Sequence, residues 1–179
     1  MTSIETFSDG ILFNEIQYLK ENDFVKVRYK NKIIDIETPL LRIPFGIKQI
    51  DSRYLLQLSI DDKDKNEKNS DFLMFINMLE SHVKENLYKD FKNKQFVSKI
   101  YHKDKYPPLV GLELKYNTEI MDDNKNRVTI NEYLNESFSA TIDFSYNGIW
   151  FNENRYGLSF KINKIIIKDI KDPKIKIVF

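Results

Sequence analysis

Two histidines, no cysteine and one tryptophan are the scarcest chemical resources of this 179-residue chain. His82 and His102 belong to no His-x-x-x-His or His-Glu-x-x-His spacing, and no Gly-x-Ser-x-Gly elbow or Gly-rich loop ending in Lys-Ser/Thr is present. Zinc hydrolysis, activated-serine chemistry and P-loop phosphoryl transfer therefore lack their parts. Asp62-x-Asp64-x-Asn66 begins like a calcium loop. Glu67 stands where that loop needs glycine, and Leu73 where it needs a bidentate carboxylate. Asp122-Asp123 would suit a magnesium nuclease only with a third carboxylate, and none is assignable. The expectation is a protein that is not an enzyme and has no cofactor or metal.

What remains is an interleaving of cations with rings. Lys26, Arg28 and Lys30 are spaced to share one strand face, with Arg42 following on the next elements. Lys99, Tyr101, Lys103, Lys105 and Tyr106 cluster around a loop, and Trp150, Phe151, Arg155 and Tyr156 surround the last turn, with Lys161 further along the strand that follows. Lysine and arginine neutralise phosphates while rings stack on unpaired bases, the combination that single-stranded nucleic acid requires. The plainer reading is a wet strand face and core rings, above all for Trp150 and Tyr156.

These residues need strands to position them. Phe24–Lys30 alternates, Asn31-Lys32 supplies a turn, and Ile33–Glu37 resumes. Leu41, Ile43, Phe45 and Ile47 share a face with Pro44 opposite, which marks an edge or a bulge, and Tyr54, Leu56, Leu58 and Ile60 repeat the pattern. Residues 61–69 read as a charged loop. Ser70 reads as the cap of one helix over 70–90, whose Phe72, Phe75, Ile76, Leu79, Val83 and Leu87 form a stripe. Phe96–Tyr101 and Leu109–Tyr116 are strands around a loop at 102–108. Asp122–Asn126 is a polar turn, and Arg127–Leu134 fits a strand or a short helix.

Phe138, Ala140, Ile142 and Phe144 form the next apolar face, and Asn147-Gly148 signals a hairpin. Tyr156, Leu158, Phe160 and Ile162 then give way to Ile165 and Ile167. That change of parity predicts a bulge near Asn163. Lys174–Val178 reads as a final strand. The sum is a mainly β domain spanning 1–179, a partly closed antiparallel β-barrel of OB-like form with an amphipathic helix inserted mid-chain.

The net charge is +1, but it is sorted along the chain. Residues 113–153 hold three cations against eight anions, residues 154–179 seven against two, and residues 81–105 seven against three. Such blocks either converge on one basic face or are interleaved by folding. No leader and no membrane-length apolar run is visible. An intracellular setting fits the absence of cysteine.

Val25–Ile60, with Thr38-Pro-Leu-Leu-Arg-Ile-Pro-Phe-Gly at its centre, and Gly148-Ile-Trp through Arg155-Tyr-Gly-Leu-Ser-Phe-Lys-Ile-Asn-Lys-Ile, resemble the OB-fold single-stranded-DNA-binding proteins of phages and large DNA viruses. The resemblance implies a non-catalytic protein that coats exposed strands in viral DNA replication, recombination or repair. Its partners would be single-stranded DNA, with RNA open, and replication proteins. Self-association is open, no membrane is involved, and the setting would be the host cytoplasm or nucleus. The implied interface is Lys26, Arg28, Lys30, Arg42, Lys99, Tyr101, Lys103, Trp150, Arg155 and Lys161. One departure stands out: such proteins often end in an acidic tail, whereas Lys168–Phe179 is basic and apolar. The alternative is a virion-structural or protein-interaction β-domain that docks by strand addition through Ile165–Ile167 or Ile175–Phe179.

Overall fold

The computed structural model describes residues 13–60, 67–103 and 106–168. Strands run β1 (Ile16–Lys20), β2 (Phe24–Tyr29), β3 (Ile34–Glu37), β4 (Leu41–Ile43), β5 (Lys48–Ile50) and β6 (Arg53–Ser59). Helices α1 (Glu67–Asn86) and α2 (Tyr88–Phe91) follow. Then come β7 (Gln95–Val97), β8 (Ile100–Lys103), β9 (Tyr106–Leu114), β10 (Glu119–Met121), β11 (Phe138–Phe151) and β12 (Arg155–Lys168).

The sheet hangs on β11. Its partner along nearly its full length is β12, and its other edge is taken by β4, β3 and β2 in turn. Beyond β4 the order continues through β6 and β9 to β8, with β5 hairpinned onto β6. The ladders do not close: β9 approaches β12 without pairing with it. The result is a curled, open, OB-like sheet. Two of its ladders, β7 with β12 and β10 with β12, are parallel, and the other ladders between the named strands are antiparallel as expected.

Alternation explains the inward faces. Val25, Val27 and Tyr29, then Leu56, Leu58 and Ile60, then Ala140, Ile142 and Phe144 are buried with α1's Phe75, Ile76, Leu79 and Val83 in one core. Phe72 meets Phe144 edge to face at 6.3 Å. Each such ring or aliphatic chain contributes roughly 1.5–3 kcal/mol by leaving water. A 2.7 Å hydrogen bond joins the Tyr18 hydroxyl and His82 Nδ1, tying β1 to α1.

The bulge expected near Asn163 is present. Asp143 pairs with Lys164 and Phe144 with Ile162, leaving Asn163 as the extra residue. Asn147-Gly148, by contrast, is not a hairpin. Tyr146 pairs with Phe160 and Gly148 with Ser159, so Asn147 is a second bulge inside β11. The turn lies at Asn152–Asn154, where Asn152 Oδ1 accepts from the backbone of Asn154 and Arg155 and Lys94 Nζ reaches the Glu153 carbonyl. Asparagine and glycine serve turns and bulges through the same backbone freedom, so the dipeptide alone does not separate them.

Other boundaries also move. The helix begins at Glu67, so Ser70 lies inside its first turn and the expected loop at 61–69 has its last three residues in the helix. Asn69 is buried there, and Glu67 complements the positive helix end. The 70–90 span breaks near Leu87 before α2. Of the expected 102–108 loop, His102 and Lys103 belong to β8 and Tyr106, Pro107 and Pro108 to β9, with Lys103 paired with Tyr106. The turn after β2 is Lys30-Asn31, both at positive φ, closed by Tyr29 and Lys32 exchanging 2.9 Å bonds. Pro44 follows β4 in a turn closed by Gly46 N–H to the Ile43 carbonyl. Arg127–Leu134 holds a 3-10 turn with a Thr129/Glu132 capping box. The expected strand at 174–178 and the calcium-like stretch at 62–66 lie outside the described residues. No described helix is long and apolar enough to cross a membrane.

Gly148 sits where β2 crosses β11, and a Cβ there would meet the Val25 carbonyl at 2.2 Å and the Phe24 ring at 2.3 Å. Gly148→Ala is expected to lower unfolding free energy by about 3 kcal/mol through forced separation of the two strands. An unchanged urea midpoint would show that the crossing has room.

Candidate nucleic-acid interface

The outward face of β5, β6, β9 and β8 and the inner rim of the β11–β12 hairpin bound a groove of about 740 Å³. Register places its residues. Leu55 lies between Lys48 and Glu113, and Gln57 is opposite Gly111, whose N–H bonds the Lys99 carbonyl. Arg53 and Lys115 occupy one end. Asn147, Trp150, Ser159, Phe160 and Lys161 form the facing wall. Five cations (Lys48, Arg53, Lys99, Lys115, Lys161) thus share the groove with one acid, Glu113, and with the rings of Phe45, Tyr101, Trp150 and Phe160.

Lys99 reaches this face because the chain breaks between β7 and β8. The Glu80 carboxylate, only 4% exposed, accepts the Ser98 hydroxyl at 2.9 and 3.0 Å and the Lys99 N–H at 2.6 Å. Ser98 Oγ also accepts the Ile100 N–H at 2.9 Å. A buried carboxylate from α1 therefore folds the corner between the strands, and the ion-dipole character makes it strong. Burial pushes the Lys99 ammonium below the usual lysine range, with Glu113 and Glu80 opposing the shift.

Four of the expected interface residues meet in this groove: Lys99, Tyr101, Trp150 and Lys161. The others do not line it. Lys26 ion-pairs with Glu21, and Arg28 Nη1 donates to the Val27 carbonyl at 2.7 Å. Lys30 leaves the strand face for the turn, with Nζ 4.8 Å from the Tyr29 ring and 3.7 Å from Glu15. Arg42 is exposed on β4, and Arg155 is exposed beside the hairpin turn. The Lys103 backbone closes the β8–β9 hairpin, and its side chain is outside the description. Tyr156 is core, packed 4.7 Å from Phe91 and 5.1 Å from Phe96. Ile165 is buried and paired on both sides, by β11 and β10, and Ile167 is buried and paired with Ala140 of β11.

Lys48, Arg53 and Lys115 escaped the sequence reading because they come from three strands. Their one signal was strand parity: Arg53 and Gln57 share the polar side of β6. Among the described residues no cluster of three or more His, Asp or Glu could hold a metal ion.

No family model matches this chain, and no curated protein matches it. Solved structures do. The single-stranded DNA-binding protein from bacteriophage Enc34 aligns with a TM-score of 0.54 at 8% identity, over 85% of this chain and 88% of that one. The same protein in complex with ssDNA aligns at 0.51 and 8%, over 83% and 91%. Gp2.5, a single-stranded DNA binding protein encoded by bacteriophage T7, aligns at 0.56 and 7%, over 81% and 97%. The likeness establishes the fold, the one that the sequence resemblance implied.

Glu80→Ala is expected to cost about 2 kcal/mol, because it orphans the Lys99 N–H and the Ser98 hydroxyl. Glu80→Gln, which keeps one acceptor, should fall between. Chemical denaturation checks the order, and equal losses for the two variants would count against a charge-assisted corner.

Proposed function

We propose that this protein binds single-stranded DNA without catalysis, holding the strand in the groove between the β5–β6–β9–β8 face and the β11–β12 hairpin. In this reading it coats strands exposed during viral DNA replication, recombination or repair. The observation that carries the proposal is the convergence of five cations and four rings on one open groove with a single acid. Phosphates then meet Lys48, Arg53, Lys99, Lys115 and Lys161, while unpaired bases meet rings. A fold shared with phage proteins described as single-stranded-DNA-binding, one of them seen with ssDNA, supports the same reading. A duplex would bury its bases and leave the rings without partners.

Trp150, the sole tryptophan, lines the groove and is a built-in reporter. Titration with oligothymidine should quench its emission, and affinity should fall with salt at a log–log slope of up to roughly −3.5 for five phosphate contacts. Absence of binding at low salt, or binding indifferent to salt, would overturn the proposal. Oligouridine binding equally well would widen the ligand to RNA. Lys115→Glu with Lys161→Glu, both exposed, should weaken binding about a hundredfold. Lys26→Glu with Arg28→Glu should leave it within about threefold, since that row lies outside the groove. The reverse ranking would move the site to β2.

Lys99 adds a pH signature. Its folded pKa lies below the unfolded value, so the unfolded chain binds more protons between the two, and raising pH through that window stabilises the free protein. The same deprotonation removes a phosphate contact, so affinity should decline over that window. Lys99→Arg should abolish the decline, as guanidinium stays charged. A pH-dependent loss that persists in Lys99→Arg would assign the effect to another group.

A further inference from the structure

Glycine inside a strand weakens it, so each one marks a place where something approaches the backbone closely. Gly46, at φ +64°, serves a turn, and Gly148 serves the β2–β11 crossing. Gly111 serves neither a turn nor a crossing, and Gly157 pairs with Val97 of β7, whose carbonyl a Cβ would meet at 2.9 Å. A Cβ on Gly111 would lie 2.7 Å from Tyr101 Cε2, and one on Gly157 would lie 3.1 Å from Trp150 Nε1. In both cases the aromatic ring on the neighbouring strand covers the glycine. In both cases that ring lines the groove, and Tyr101 is still 44% exposed.

We propose that Tyr101 and Trp150 are two stacking platforms for unpaired bases, and that Gly111 and Gly157 are positioning residues that seat them. The inference deepens the single-stranded-DNA reading and rests on it. A ring seated on bare backbone has part of its surface packed and its rotamer chosen before any ligand arrives. The entropy of ordering the ring is thus spent in folding rather than in binding. The open surface is left to a base, whose flat π-face needs no particular sequence. Lys99 lies two residues before Tyr101 and its carbonyl accepts the Gly111 N–H, so the Tyr101 platform has a phosphate partner beside it. Tyr156 and Phe96, bound to one another in the core, are not available for this role.

The test is a double-mutant cycle on the full chain with labelled oligothymidine as the probe. Tyr101→Ala should lose about tenfold in affinity. Gly111→Ala displaces the ring instead of removing it, so it should lose a similar factor while thermal unfolding stays close to wild type. The double variant should lose no more than either single one, and Tyr101→Phe should bind as wild type. On the other wall, Gly157→Ala should shift Trp150 emission in the free protein and weaken its quenching by the probe.

Wild-type affinity in Gly111→Ala, or full additivity in the double variant, would overturn the seating role while leaving groove binding intact. Failure of the unaltered protein to bind the probe would instead overturn the functional reading. Should Gly111→Ala not fold, Tyr101→Trp in a Trp150→Phe background reads the platform directly. Quenching of that tryptophan by the probe is expected, and intact binding without quenching would overturn the assignment.

Discussion

The antiparallel pairing of β11 with β12 is the interaction on which the other ladders depend. Each strand runs fourteen residues. Along its free side β11 receives β4, β3 and β2, while β12 receives β7 and β10. A straight ribbon of that length could not serve partners pointing in so many directions. The bulges at Asn163 and Asn147 solve this. Each adds a residue on one strand only, turns the apolar parity over and raises the local twist. Ile162 and Ile165 can both be core because Asn163 and Lys164 stand between them, and Phe144 and Ile149 because the Asn147 bulge stands between them.

Elements whose residues alternate over six or more positions were legible in the sequence, because burial of one face dictates register. β2, β6, the first half of β11 and all of β12, bulge included, belong to this class. Three-residue elements such as β10 were not, since so short a piece carries no period and is held only by its ladder to β12. The helix stripe was readable; its start was not, as the capping type of Ser70 occurs inside the first turn and not at its edge. Half of the groove was invisible for a related reason. Lys48, Arg53 and Lys115 are neighbours only across strands, and nothing in a linear text records cross-strand proximity.

Charge blocks proved a partial guide. Lys99 from the basic stretch 81–105 and Lys161 from the basic C-terminal stretch do meet in one groove. Other members of the same blocks have local duties. Lys84 stands 4.0 Å from Glu80 and 4.5 Å from the Phe96 ring centre, Lys94 holds the β11–β12 turn, and Lys168 pairs with Asp123. Sequence order bounds how much positive charge a surface can receive, and the ladders decide which lysines supply it.

The groove exists because the sheet stops short of closing between β9 and β12. Had the two strands paired, Gly111 and Ser159–Lys161 would be brought to ladder distance, and Tyr101 and Lys161 would compete for the same space. Leaving the gap open sacrifices ladder hydrogen bonds. The cost is small, since backbone groups facing a water-filled groove are solvated rather than orphaned. Lys99 is half-buried on this wall, with Glu113 of the neighbouring β9 and Glu80 of α1 as its counter-charges. A phosphate entering there would add a third anion close to that ammonium and raise its affinity for the proton. Proton retention and polyanion binding at Lys99 therefore reinforce one another, because burial has already lowered its affinity for the proton.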